Sequence, residues 1–239
     1  MLSVKKFKFS LLVLVFSSVL AVHSAQAAVI ELVTNGSLTG DIDNAGLPDG
    51  WLDGDSGARS PSTADTMDET HNAGLTTYGF GATPSASSDG GTWVGIGTNY
   101  GLADENFYQV VSGFEIDKEY TLSWYDANFG ITGGVTYTGA NKLLATLTNG
   151  SSILSFTDSA SRALGGGWFF NSFTFTPTQT SYTLSFSLLN PTKSYLSIDG
   201  ISITTEVASV PEPSTWAFLL VGLLAISVEV RKRQLAKVR

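Results

Sequence analysis

The chain predicts an all-β fold, an antiparallel β-sandwich or jelly roll over residues 28–207, and three observations predict it. Apolar residues recur with period two along that segment, Gly, Pro, Asn and Asp separate the runs, and no stretch carries the stripe of an amphipathic helix. Strands of this kind bury one face of each of two sheets and leave the other wet. Roughly 180 residues suffice for one domain with a single core. The chain has no cysteine, so that core carries the stability without disulfides.

Lys5, Lys6 and Lys8 precede an apolar stretch at 9–22, and Ala25-Gln26-Ala27 places small residues at a cleavage site. Residues 1–27 therefore read as a signal peptide cut before Ala28. Strands are expected at 30–33, 92–97 and 107–111. The next has Tyr120, Leu122 and Trp124 on one face, alternating with Thr121 and Ser123. Residues 143–148 and 152–156 flank Asn149-Gly150, a dipeptide that suits a tight hairpin because both residues accept positive φ. Phe169, Phe173 and Phe175 mark one face of a further strand, and Tyr182, Leu184, Phe186 and Leu188 another. In the last strand, 195–204, Leu196 and Ile198 are out of phase with Ile201 and Ile203, which predicts a bulge near Asp199-Gly200.

The C-terminal segment, 208–239, has three parts: Pro211-Glu212-Pro213, an apolar run at 216–228, and the basic cluster Arg231, Lys232 and Arg233. The prolines hold an extended approach, the apolar run favours lipid, and the cations stay on the cytoplasmic side. This ending resembles the PEP-CTERM sorting signal of Gram-negative bacteria that make exopolysaccharide. The resemblance implies recognition of Pro-Glu-Pro by a membrane-embedded exosortase after use of the export machinery. It also implies transient anchoring in the inner membrane by a C-terminal transmembrane helix, then release to the cell surface or extracellular matrix. From 214 to 230 a helix spans about 25 Å, short of the ~30 Å hydrocarbon core, so the anchor is marginal.

Charge narrows the function. Residues 28–207 hold five basic side chains (Arg59, Lys118, Lys142, Arg162 and Lys193) against nineteen acidic ones, a net of minus fourteen that the whole-chain value of −8 conceals. Such a body repels phosphate backbones, which excludes nucleic acid as a partner. Catalysis lacks its usual parts. His71 is the only histidine after residue 27 and sits in a polar stretch, and there is no Gly-x-Ser-x-Gly elbow. Gly101 follows Gly95-Ile96-Gly97 one residue late for a dinucleotide fingerprint. The expectation is a protein that is not an enzyme.

Several short motifs run along the body: Leu32-Val33-Thr34-Asn35-Gly36-Ser37-Leu38, Gly50-Trp51, Tyr108-Gln109-Val110-Val111, Tyr120-Thr121-Leu122-Ser123, Trp168 before Phe173-Thr174-Phe175, and Leu196 to Ile203. Their order resembles the galactose-binding-like sandwich of many carbohydrate-binding modules. That resemblance implies a structural calcium joining an acid after the opening Asn-Gly to the aspartate of the last strand. Asp199 matches, while Thr39 stands where the acid is expected. Independently, Asp41, Asp43, Asp49, Asp53 and Asp55, interleaved with glycines, offer oxygen ligands for calcium on a pliable backbone, or a solvated acidic loop. Trp51 and Tyr100, set among Gly, Pro and Asp, are the candidate rings for stacking on a sugar. The function expected is an exported surface or matrix protein that binds exopolysaccharide. The alternative is a structural adhesin or biofilm-matrix protein without a glycan pocket, and a secreted glycan-active enzyme ranks third.

Overall fold

The computed structural model describes residues 28–54, 64–99, 105–150, 152–207 and 213–237. The signal peptide, Pro211, Glu212, Asp55 and Tyr100 lie outside them. Residues Val29–Glu206 form one compact unit, and the C-terminal helix belongs to a second.

Thirteen strands are present among the described residues: β1 (Ala28–Glu31), β2 (Leu52–Asp53), β3 (Asp65–Met67), β4 (Gly79–Phe80), β5 (Trp93–Thr98), β6 (Phe107–Ser112), β7 (Tyr120–Ala127), β8 (Ile131–Thr132), β9 (Leu143–Thr148), β10 (Ile153–Thr157), β11 (Phe169–Phe175), β12 (Ser181–Leu188) and β13 (Ser194–Val207). The larger sheet runs β11-β7-β13-β5-β3 with β1 also on β13, the smaller runs β10-β9-β12-β6-β2, and β4 pairs with β8. The ladders other than β1–β13 are antiparallel. The all-β sandwich expected from the period-two pattern is the observed architecture.

Alternation explains the core. Leu122 and Trp124 of β7, Phe173 and Phe175 of β11, Leu184 and Phe186 of β12, and Ala145 and Leu147 of β9 all turn inward and bury together. Trp124 stacks on Phe173 at 5.3 Å, and Phe107 on Phe186 at 5.4 Å. The bulge falls where the phase change placed it. The β13 register shifts between Asp199 and Ser202, with Gly200 at φ +58, so Ile198, Ile201 and Ile203 all reach one core. The Asn149-Gly150 hairpin is present: β9 and β10 pair up to Thr148 opposite Ile153, and Asn149 N donates to Ser152 O at 3.2 Å beyond that pair.

The larger sheet departs from the one-face-wet pattern. On its outer side Met67, Trp93, Ala127, Phe129, Ile131 and Tyr195 form a second apolar cluster with Trp168 packed against it. Loop residues roof that side, and every residue of β5 is buried. The strands missed by sequence reading are β2, β3, β4 and β8. Three have only two residues, and β3 opens on the buried Asp65, whose carboxylate accepts from Tyr195 Oη at 2.6 Å.

The C-terminal helix, α1 (Pro213–Lys237), forms as expected, but its membrane span needs correction: among the described residues no helix is long and apolar enough to cross a membrane. The physical reason is the length of the apolar run. Residues 216–228 cover about 20 Å as a helix before Glu229 and the Arg231–Arg233 cluster intervene.

Candidate functional site

The outward face of the smaller sheet is the most distinctive surface of the body. Strands β6, β9, β10 and β12 send every other residue out. These are Tyr108, Val110 and Ser112; Leu144, Thr146 and Thr148; Ile153, Ser155 and Thr157; and Ser181, Thr183, Ser185 and Ser187. The register brings them into rows, with Ser155, Thr146, Ser185 and Tyr108 side by side and Leu52 of β2 next to Tyr108. Hydroxyls pair across the strands, Thr146 with Ser185 at 2.7 Å and Ser112 with Ser181 at 2.9 Å. None of these side chains is charged, on a body of net minus fourteen. The arrangement offers a field of donors and acceptors interrupted by the apolar Leu52, Val110, Leu144 and Ile153.

Trp51 is not part of any such surface, which corrects its assignment as a sugar-stacking ring. It is 4 % exposed, sits 5.1 Å from Phe107, and its Nε1 donates to the Asn35 carbonyl at 3.0 Å. The turn that precedes it, with Trp51 N bonded to Pro48 O and Gly50 at φ +90, tips the indole inward. The glycines and proline around it reflect that turn, not exposure.

The acids of 41–55 do not converge. Asp41, Asp43, Asp49 and Asp53 are exposed, Asp43 is held by a backbone bridge to Thr66, and Asp53 lies in β2. Among the described residues no group of three or more His, Cys, Asp or Glu side chains could hold a metal. Asp199 is fully buried and already occupied. Its Oδ2 accepts from the Ser87 hydroxyl, and its Oδ1 accepts from Gly200 N at 2.8 Å. Burial pushes its carboxyl up to about 7, Asp89 adds to the rise, and the two donors oppose it. Thr39 Oγ1 pairs with Ser37 Oγ at 3.2 Å. A carboxyl surrounded by donors and biased toward its proton does not suit a cation, so these residues do not fit the calcium that the resemblance implies.

His71 Nδ1 lies 2.9 Å from Asp68 Oδ1 and 2.8 Å from Thr70 Oγ1, and among the described residues no group of three metal-ligating side chains includes it. Arg231, Lys232 and Arg233 fall within α1, and Pro213 begins it.

A buried polar cluster at one end of the sandwich went unseen in the sequence. Arg162 Nε donates to Asp126 Oδ2 at 2.7 Å and its Nη2 to Asn171 Oδ1 at 2.8 Å, while Asn171 Nδ2 donates to Asp126 Oδ1 at 2.6 Å. Asp158 Oδ2 accepts from Leu143 N at 2.7 Å, and its Oδ1 lies 3.6 Å from Arg162 Nη2 without a hydrogen-bond partner. The guanidinium also sits 4.5 Å over the Phe169 ring. Burial first, then the neighbouring Asp126 charge, pushes the Asp158 carboxyl up to about 7. Two carboxylates here could suggest hydrolysis, but both are sealed from solvent and one is tied to a cation, so they have no route to a substrate.

No protein-family model matches the chain, and none of the curated proteins matches it in sequence. Solved structures show a partial likeness to it. The enzymatically active domain of the bacteriophage CBA120 tailspike protein 4 is 13 % identical with a TM-score of 0.45, and the match covers 74 % of this chain but only 22 % of that one. A carbohydrate-binding module, TmCBM61, in complex with β-1,4-galactotriose is 11 % identical with a TM-score of 0.41, covering 64 % and 86 %. A CBM4 structure is 18 % identical with a TM-score of 0.40, covering 73 % and 99 %. Carbohydrate-binding modules are thus among the solved sandwiches similar to this one, each at a TM-score below 0.5.

Proposed function

We propose that the chain is an exported, non-enzymatic surface or matrix protein whose body holds a neutral polysaccharide on the outer face of the smaller sheet. The observation that carries this reading is the charge-free, hydroxyl-lined face just described. Sugar rings present C–H faces that match isolated apolar side chains and hydroxyls that need donors and acceptors. Tyr108, Val110 and Leu52 supply the first, and Thr146, Thr183 and Ser185 the second. A neutral chain meets no repulsion there, whereas a uronic-acid polymer meets a body of net minus fourteen.

Affinity electrophoresis tests this with a neutral galactan, a neutral glucan and alginate in the gel. Retardation by a neutral polymer and not by alginate is expected. Thr183→Asp should weaken it about tenfold, the loss of roughly 1.4 kcal/mol of binding, with the melting curve unchanged. Equal retardation by alginate, or an unaffected Thr183→Asp protein, refutes the assignment of this face.

For sorting, we propose that Pro211-Glu212-Pro213 is read by an exosortase and that α1 is removed on delivery. Supporting it is the tripartite ending. Mass spectrometry of surface protein should find no peptide beyond residue 216, and alanines at 211–213 should strand the chain in the inner membrane. Peptides from 216–231 in the surface fraction would reduce the ending to a plain tether.

A further inference from the structure

The two flanks of the sandwich are built differently. On one, the sheets end in β3 and β2, of three and two residues, with β3 covered by the Asp43–Thr66 bridge and β2 carrying Asp53. Short, covered or charged edges are how sheets avoid pairing with other chains. Among the described residues the other flank has none of these devices. The larger sheet ends there in β11, Phe-Phe-Asn-Ser-Phe-Thr-Phe, and the smaller in β10, Ile-Leu-Ser-Phe-Thr. Both edges lie together, since Phe156 of β10 packs on Phe173 and Phe175 of β11 at 5.6 and 5.8 Å. Neither strand contains a charge, proline or glycine. Among the described residues the backbone of β11 pairs only with β7, which leaves its outer edge unpaired. Phe170 is 58 % exposed and Ile153 69 %.

We infer that β11 pairs antiparallel with β11 of a second copy of this chain, joining the two larger sheets into one. Two features select a second copy. First, each body carries a net charge of minus fourteen, and this neutral flank lets two of them meet without setting like charges face to face. Second, the strand is self-complementary. A two-fold axis through Ser172 sets Phe170 opposite the partner's Thr174, and Thr174 opposite the partner's Phe170. Aromatic and β-branched residues make favourable cross-strand pairs. Because the same edge is used on both sides, the contact closes as a dimer. It leaves the hydroxyl face of the smaller sheet free, so it stands or falls independently of glycan binding.

The natural absence of cysteine makes the test direct. In the full-length chain, Ser172→Cys and Ser185→Cys are oxidised under the same mild conditions, the latter reporting random collision from the smaller sheet's face. A preformed pair reacts as if intramolecular, so Ser172→Cys should yield at least about tenfold more disulfide-linked dimer. Light scattering on Ser172→Lys, whose melting curve should match the wild type, should return a monomer, because a lysine on the edge opposes its own copy. Equal cross-linking at both positions, or a wild-type monomer at tens of micromolar, overturns the proposal. So does a dimer that survives Ser172→Lys, which would place the contact elsewhere, α1 included. If Ser172→Lys fails to fold, the cysteine comparison decides.

Discussion

Gly36→Ala should lower stability by about 3 kcal/mol, a fall of ~10 °C in Tm. A Cβ on Gly36 would lie deep inside the van der Waals contact of the Ile201 carbonyl oxygen and 3.0 Å from its carbon. Both atoms are backbone, so no rotamer change relieves the clash. Nor can the loop retreat, because Ile201 N donates to Gly36 O at 2.8 Å, and Asn35 Nδ2 donates to the carbonyls of Thr39 and Asp49 at 3.0 Å. Trp51 Nε1 holds the Asn35 carbonyl as well. The cost therefore falls on the bulge of β13 that aligns three isoleucines with the core. Gly150→Ala is the comparison. Its Cβ meets nothing within 4 Å, and the penalty is only that of φ +83, about 1–2 kcal/mol. Thermal melts that place both variants together would show that the loop yields, and that the contact between the opening Asn-Gly and the last strand is loose.

That contact also shows what a sequence can and cannot reveal. The bulge was legible because phase is a local property: Leu196 and Ile198 against Ile201 and Ile203 demand an extra residue. The strands around Leu122, Ala145, Phe173 and Leu184 were legible for the same reason. Trp51 was not, since its Pro-Asp-Gly approach reads as an exposed loop, while burial depends on a carbonyl sixteen residues earlier. The second cluster under the roof loops was hidden because Met67, Trp93 and Phe129 come from segments with no shared period. The hydroxyl face was half visible. Thr183 and Ser185 announce a wet side, but only the strand order β10-β9-β12-β6 assembles the separate rows into one surface. The acids of 41–55 misled, because spacing along a glycine-rich stretch does not say whether carboxylates converge.

Arg162→Met should cost about 3–5 kcal/mol, the usual loss when one partner of a buried ion pair is removed. The methionine fills most of the space, so the deficit measures charge. Asp126 would keep Asn171 as its donor and lose the guanidinium, while the Asp158 carboxylate would lose its ion pair with Arg162 at 3.6 Å. The pH dependence separates this from lost packing. In the wild type, Asp158 and Asp199 have carboxyls raised from 3.8 to about 7. Between those values the folded protein keeps protons that the unfolded chain has released, so stability falls as pH rises through the window and the penalty is complete above it. The wild type should accordingly melt several degrees higher near pH 5 than near pH 8. Arg162 holds the Asp158 carboxyl down, so its removal should carry the falling limb to higher pH. A variant whose melting curve drops equally at every pH would mean that Arg162 acts by packing on Phe169 alone, and that the carboxylates around it do not feel its charge.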